Sequence, residues 1–147
     1  MKFKNLIVFF IAIVILHACK STEEIQIEKI VAEYNIKFKS KDVLFLVPVG
    51  GCNPCIKDVI NYLKRNPEYK AIIVGMGKKE INRFLNDSIY NNKNIIIDSK
   101  GNILKYNDLI SSSPLVCYFK NNNFAKLQYI NTENSEARYA ELEKFLK

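Results

Sequence analysis

The stretch of residues 41–65, KDVLFLVPVGGCNPCIKDVINYLKR, constrains the fold more than any other part of this 147-residue chain. Residues 43–49 form a nearly continuous apolar run, which is typical of a buried strand. The residues after Pro54 have the spacing of an amphipathic helix, and Pro54 suits its first turn, where the missing N–H costs little. The stretch therefore predicts a buried strand that turns directly into a helix, with a C-x-x-C pair at the helix start.

The two cysteines of this pair, Cys52 and Cys55, are placed for disulfide chemistry. Helix-start geometry brings their Cβ atoms close enough to close a small disulfide. A helix N-terminus also carries partial positive charge and free N–H groups, and both stabilise a thiolate. We therefore expect Cys52 to be the more acidic and nucleophilic sulfur, and the pattern predicts a thiol–disulfide redox site.

The rest of the composition excludes several other chemistries. The only histidine, His17, lies in an N-terminal segment that we expect to be cleaved, which excludes Cys–His and Ser–His catalysis and histidine-containing zinc sites. One C-x-x-C pair does not supply a four-thiolate site, so we predict no metal and no cofactor. The net charge is +7, but the lysines are scattered and form no basic stripe, so we predict no nucleic-acid partner.

Residues 1–18 have the features of a bacterial lipoprotein signal peptide. Lys2 and Lys4 precede an unbroken apolar run, residues 6–16. As a helix this run would span about 16 Å, which is too short to cross a hydrocarbon core about 30 Å thick and favours a signal peptide over a transmembrane helix. The run ends in LHAC, which resembles a lipobox and implies that Cys19 becomes an acylated membrane anchor. An ordinary signal peptide followed by a coincidental cysteine is the alternative.

The residues after Cys19 bear on location. Lys20 stands where some bacteria use an aspartate for inner-membrane retention, and Glu23 and Glu24 resemble surface-export signals. We therefore expect a lipid-anchored protein of the bacterial cell envelope, on the outer membrane, at its periplasmic side or at the surface. Residues 19–40 would be the lipid-anchored tether and entry element, and residues 41–147 the folded domain.

Strand and helix patterns alternate along the mature chain and end in a hairpin. Ser21 and Glu24 fit a capping box that starts a helix, and the alternation in residues 36–39 suits a short edge strand. Strands are predicted at 43–49, 71–75, 94–98, 115–120 and 124–130, and helices from Pro54 to Asn66, at 78–85, and after Thr132 or Asn134. This order predicts a mixed sheet with helices on both faces.

This order resembles the thioredoxin-like fold, in particular the membrane-tethered thiol–disulfide oxidoreductases of bacterial envelopes, including the cytochrome-maturation kind. The likeness rests on the strand–CNPC–helix unit, on residues 95–101 (IIIDSKG) with Tyr106 after them, and on the SPLV segment that begins at Ser113. It implies that residues 41–147 form a thioredoxin-like α/β three-layer sandwich, with a mixed central sheet and helices on both faces.

The resemblance also implies roles for individual residues. Cys52 would be the exposed attacking thiol and Cys55 the buried resolving thiol. Pro114, which is cis in this family, would face the pair, and Ser113 would offer backbone polar groups to an extended partner peptide. The implied partners are envelope protein thiols or disulfides and a protein that donates or accepts electrons. Asp58 resembles a helix carboxylate that could accept the proton of Cys55, although a solvated helix acid has the same pattern.

The chain departs from this family at two positions, and other readings stay open. Gly51 stands where tryptophan is usual, and Leu46 stands where a buried aspartate is usual. A non-catalytic binding lipoprotein on the same fold, with a structural disulfide, is therefore the alternative function. A peroxidase would need an arginine and a threonine near the attacking thiol, and neither precedes Cys52. Cys117 is either a buried free cysteine or a third redox thiol.

Overall fold

A five-stranded mixed sheet is the centre of the structure, a computed structural model that describes residues 20–85, 87–106, 109–110 and 112–147. The predicted signal peptide and Cys19 lie outside the described residues. The strands are β1 (Lys41–Pro48), β2 (Lys70–Val74), β3 (Ile95–Asp98), β4 (Leu115–Lys120) and β5 (Asn123–Tyr129). They lie in the order β3-β2-β1-β4-β5, with β1, β2 and β3 parallel and β4 antiparallel to both β1 and β5.

Strand β1 occupies the middle of the sheet because its side chains are apolar on both faces. Val43, Phe45 and Val47 point to one face, Leu44 and Leu46 to the other, and all five are fully buried. A strand of this kind is stable only when both faces are covered by other elements. The two neighbouring strands complete its ladder, so the C-terminal end of β1 is held firmly where the C-x-x-C pair begins.

Helices cover both faces of this sheet, as the sequence predicts. The helical elements are α1 (Thr22–Glu33), α2 (Asn53–Arg65), α3 (Lys78–Ile81), α4 (Asp87–Tyr90), a 3₁₀ helix (Asn102–Lys105) and α5 (Ser135–Leu146). Helices α2 to α5 contribute buried side chains to one face, and α1 and the 3₁₀ helix contribute to the other. Within the described residues no helix is both long enough and apolar enough to cross a membrane.

Helix α1 is part of the packed structure. Ser21 caps its start as predicted, because the Ser21 hydroxyl accepts a hydrogen bond from the Glu24 N–H at 3.1 Å. Ile27 and Ile30, one turn apart on the same helix face, are fully buried against the sheet. Through these two isoleucines the entry element is part of the core, whereas Ile25 on the same helix is exposed.

The short strand predicted at residues 36–39 is wrong: these described residues form no strand. Among the described residues no strand pairs with the outer edge of β3 or β5, so this segment does not extend the sheet. The segment is held by other contacts. The ring of Phe38 stacks on that of Phe119 at 3.7 Å, and the Lys39 N–H donates to the Asp42 carboxylate at 3.1 Å.

The helix predicted at residues 78–85 is also shorter than expected. Helix α3 ends at Ile81, and the next backbone hydrogen bonds span three residues instead of four: Arg83 N–H donates to Glu80, and Phe84 N–H to Ile81. Bonds of this span tighten the chain into turns. The short helix α4 follows, with Ile89 buried against the same core as Ile81.

Candidate functional site

The predicted cysteine pair lies where the central strand turns into α2. After β1 ends, the Val49 N–H still donates to the Val74 carbonyl at 2.8 Å, and Gly50 and Gly51 then make the turn. Cys52 is the N-cap residue of α2, and its Sγ accepts a hydrogen bond from the Cys55 N–H at 3.4 Å. The sulfur therefore sits on the positive end of the helix, as the sequence predicts.

The two cysteines form a disulfide and differ in their exposure. Their Cα atoms are 5.3 Å apart, within the normal range for this bond. Cys52 is half-buried, whereas Cys55 is 2% exposed because it lies on the face of α2 that packs on the sheet. A thiol that approaches from solvent therefore meets the sulfur of Cys52 first.

The backbone of Ser112 packs directly against the disulfide turn. Its carbonyl accepts a hydrogen bond from the Cys52 N–H at 2.7 Å. A Cβ atom added at Gly51 would lie 1.7 Å from this carbonyl oxygen, so any side chain at Gly51 must displace the loop. This contact gives the physical reason for glycine where the resembled family has tryptophan. The sequence contains no local signal for it, because the two segments are distant in the chain.

The loop predicted to face the cysteine pair does approach it, but through Ser112. Pro114 is buried, and its carbonyl accepts a hydrogen bond from the Ile130 N–H at 2.8 Å, while Ser113 is half-buried between them. The prediction that Pro114 is cis is wrong, because every peptide bond between described residues is trans. The Ser112 carbonyl is hydrogen-bonded to the Cys52 N–H, and three residues later the chain enters β4 at Leu115. The trans peptide bond before Pro114 is the intrinsically favoured isomer.

Asp58 has a specific partner that the sequence analysis missed. The Tyr139 hydroxyl, on α5, donates a hydrogen bond to the Asp58 carboxylate at 3.0 Å. Burial raises the pKa of Tyr139, and the nearby Asp58 charge raises it further, so the phenol keeps its proton and remains a donor. The Tyr139 ring stacks on Tyr62 at 3.9 Å between centroids. Asp58 is thus held in place one helical turn after Cys55.

Cys117 lies on the other side of the sheet from the disulfide. It is fully buried in the apolar cluster that includes Ile27 and Ile30 of α1, whereas α2 packs on the opposite face. Burial raises the pKa of the Cys117 thiol well above its usual range. These observations favour the buried free cysteine over the third redox thiol.

Three comparisons with known proteins complete the description of the site. No protein-family model matches the chain, and no curated protein matches it. Among solved structures, it is similar to a Chlorobium tepidum protein provisionally named thiol:disulfide interchange protein DsbE. The TM-score is 0.48 and the identity 12%, over 74% of this chain and 81% of that one. The thioredoxin-like α/β architecture rests on the mixed sheet, its strand order and the C-x-x-C pair at the start of α2.

Proposed function

We propose that this protein is a thiol–disulfide oxidoreductase of the bacterial cell envelope that acts on protein dithiols or disulfides through Cys52 and Cys55. One observation carries the proposal: a reachable sulfur at the N-terminus of α2 is bonded to a buried one. A disulfide needed only for stability has no use for this unequal exposure, whereas exchange chemistry needs one sulfur that partners reach and one that they do not.

The oxidising direction begins at the disulfide described above. A client thiolate attacks Sγ of Cys52, the bond to Cys55 breaks, and Cys55 leaves with the electron pair as a thiolate. A second client thiolate then attacks the client sulfur of the mixed disulfide. The client leaves with its own disulfide, and the protein keeps both thiols. Two electrons pass from client to protein, and the partner that later accepts them restores the Cys52–Cys55 bond.

The reducing direction runs through the same mixed disulfide. The Cys52 thiolate, stabilised by the N-terminus of α2, attacks a client disulfide and releases one client thiolate. Cys55 then loses its proton, attacks Sγ of Cys52 and expels the second client thiolate. We assign Asp58 as the group that accepts this proton, because it follows Cys55 by one helical turn and Tyr139 fixes its carboxylate.

The same proposal includes the client-binding loop and the location. Ser113 and Pro114 border the Ser112–Cys52 contact, so an extended client segment that reaches Cys52 passes beside them. Cys19 would carry the acyl chains that anchor the protein to the envelope membrane. Acyl-chain labelling of Cys19 checks the anchor: we expect a labelled membrane protein, with a Cys19→Ser variant unlabelled. A secreted, unlabelled wild-type product would overturn it.

Trapping the client in the native envelope tests the exchange activity. In Cys55→Ser the resolving step is lost, so we expect mixed disulfides between Cys52 and client proteins to accumulate. In the matched Cys52→Ser variant the remaining cysteine is buried, so we expect none. Wild-type protein equilibrated with a series of glutathione redox buffers should cycle between dithiol and disulfide. A pair that stays oxidised throughout, with partner capture that survives loss of both cysteines, would instead establish a binding lipoprotein.

A further inference from the structure

A pocket of about 290 Å³ opens beside the disulfide turn, at the C-terminal ends of β1 and β2. Gly51 and Ser112 line the pocket, and both are next to the reactive cysteine. Gly51 precedes Cys52 in the chain, and the Ser112 carbonyl accepts a hydrogen bond from the Cys52 N–H. The pocket therefore lies next to the backbone of the residue to which a client would be attached. Its size is sufficient for one long side chain.

The walls of the pocket are mostly apolar and partly bare backbone. Gly50, Gly51 and Gly75 contribute no side chains, which leaves the space open. Met76 and Leu104 supply aliphatic surface, and Met76 is 74% exposed at the rim. Methionine is a flexible and polarisable side chain that adapts to varied ligands. The walls thus suit the methylene groups of a client side chain.

One carboxylate lies among these apolar walls. Glu80 is the only ionisable side chain among the described residues that line the pocket. One of its oxygens, Oε2, accepts a hydrogen bond from the Met76 N–H at 2.8 Å, which fixes the side chain. The other, Oε1, lies 3.4 Å from the position that a Cβ would take at Gly50. The carboxylate therefore reaches across the pocket to the turn that precedes Cys52.

We propose that this pocket binds a lysine or arginine that flanks the reacting cysteine of the client. The proposal rests on the exchange activity proposed above and names the client feature that the site selects. The methylene groups of the client side chain pack on Met76 and Leu104, and its cationic end pairs with Glu80. The excess of basic over acidic residues in the chain would alone favour acidic clients, so a preference for a basic flank is specific to this pocket.

The test measures how fast Cys52 attacks three peptides that differ only beside their single cysteine. The flanking residue is lysine, norleucine or glutamate, and each peptide cysteine is activated as a disulfide with thionitrobenzoate. The full chain is used in detergent with Cys19→Ser and Cys55→Ser, which leaves Cys52 as the accessible thiol. Its thiolate attacks the peptide sulfur and releases the coloured thionitrobenzoate anion. We expect the lysine peptide to react about fivefold faster than the norleucine peptide, because this rate ratio corresponds to the largest contribution of a solvent-accessible ion pair. The glutamate peptide should react slowest.

Two matched variants assign the preference to one carboxylate. In Glu80→Gln the amide oxygen still accepts from the Met76 N–H, so we expect the lysine-to-norleucine rate ratio to fall to about one. Glu68→Gln makes the same charge change on an exposed residue before the opposite end of β2, and we expect the ratio to persist. Equal rates for the three peptides, or a preference that survives in Glu80→Gln, would overturn the pocket assignment alone. Failure of Cys52 to react with any peptide would overturn the proposed function as well.

Discussion

The contact between Gly51 and Ser112 predicts that one methyl group will disturb both the fold and the site. In Gly51→Ala the new Cβ would lie 1.7 Å from the Ser112 carbonyl oxygen and 2.5 Å from its carbonyl carbon. Both atoms belong to the backbone, so no side-chain rotation relieves the overlap. The loop must move away, and the hydrogen bond from the Cys52 N–H, 2.7 Å in length, lengthens or breaks.

The expected cost follows from these two effects. Forcing extra volume into a packed site costs about 1–3 kcal/mol, and losing the hydrogen bond adds about 1 kcal/mol. The free energy of unfolding of Gly51→Ala should therefore fall by about 2–4 kcal/mol. If the free energy of unfolding falls by about 2 kcal/mol per molar urea, the midpoint of urea unfolding should fall by about 1–2 M.

Gly50→Ala is the matched control, one residue away in the same turn. Neither glycine has a positive φ, so neither substitution strains the backbone conformation itself. A Cβ at Gly50 meets only the end of the Glu80 side chain, at the ordinary contact distance of 3.4 Å. We expect Gly50→Ala to match the wild type or to gain up to about 1 kcal/mol through a less flexible unfolded chain.

Urea unfolding of both variants, with the disulfide intact, is the assay. The rate at which Cys52 reacts with a small activated disulfide, measured after reduction, reports the state of the site in parallel. Equal stabilities for Gly51→Ala and Gly50→Ala would refute the steric argument. They would mean that the Ser112 loop yields at no cost and does not fix the disulfide turn.

Three further predictions concern buried side chains of the core. Tyr139→Phe should lower the free energy of unfolding by about 1–2 kcal/mol because it loses the hydrogen bond to Asp58. A double-mutant cycle checks this, because Tyr139→Phe made in the Asp58→Ala variant should cost almost nothing. Cys117 should resist iodoacetamide in the native protein and react only after unfolding, as followed by mass spectrometry, because it is fully buried and its pKa is raised. Burial raises the pKa of Tyr118 from 10.0 to about 12 in the folded protein. The protonated phenol therefore contributes its full stabilisation below pH 10, and this contribution is lost as the pH rises through 12. Between pH 10 and 12 the free energy of unfolding of Tyr118→Phe should fall less than that of the wild type.

Much of the fold could be predicted because local patterns mark its elements. Strand β4 occupies residues 115–120 as predicted, since an apolar run lies there between a proline and an asparagine turn. The central strand and α2 are marked in the same way by their apolar run and by Pro54. Residues 36–39 alternate like a strand but are not one, because side-chain alternation does not reveal whether the backbone will pair with a neighbouring strand.

The candidate site could also be predicted only where its determinants are local in the sequence. The cysteine pair and its helix could be predicted because all the determinants lie within one short stretch. Ser112, Tyr139 and Glu80 reach the site from distant parts of the chain, and a serine carbonyl, a tyrosine and a surface glutamate carry no distinguishing pattern of their own. The resemblance to the family predicts the wrong isomer for Pro114, because no local sequence pattern distinguishes a cis from a trans peptide bond there.

The early start of α1 limits how far the proposed lipoprotein could reach from its membrane. Only Lys20 and Ser21 separate Cys19 from Thr22, where the helix begins, and Ile27 and Ile30 fix that helix to the sheet. From the Cα of Cys19 to the Cα of Thr22, this connection spans about 11 Å when fully extended. The whole domain would then stay next to the membrane, and clients would have to approach it there.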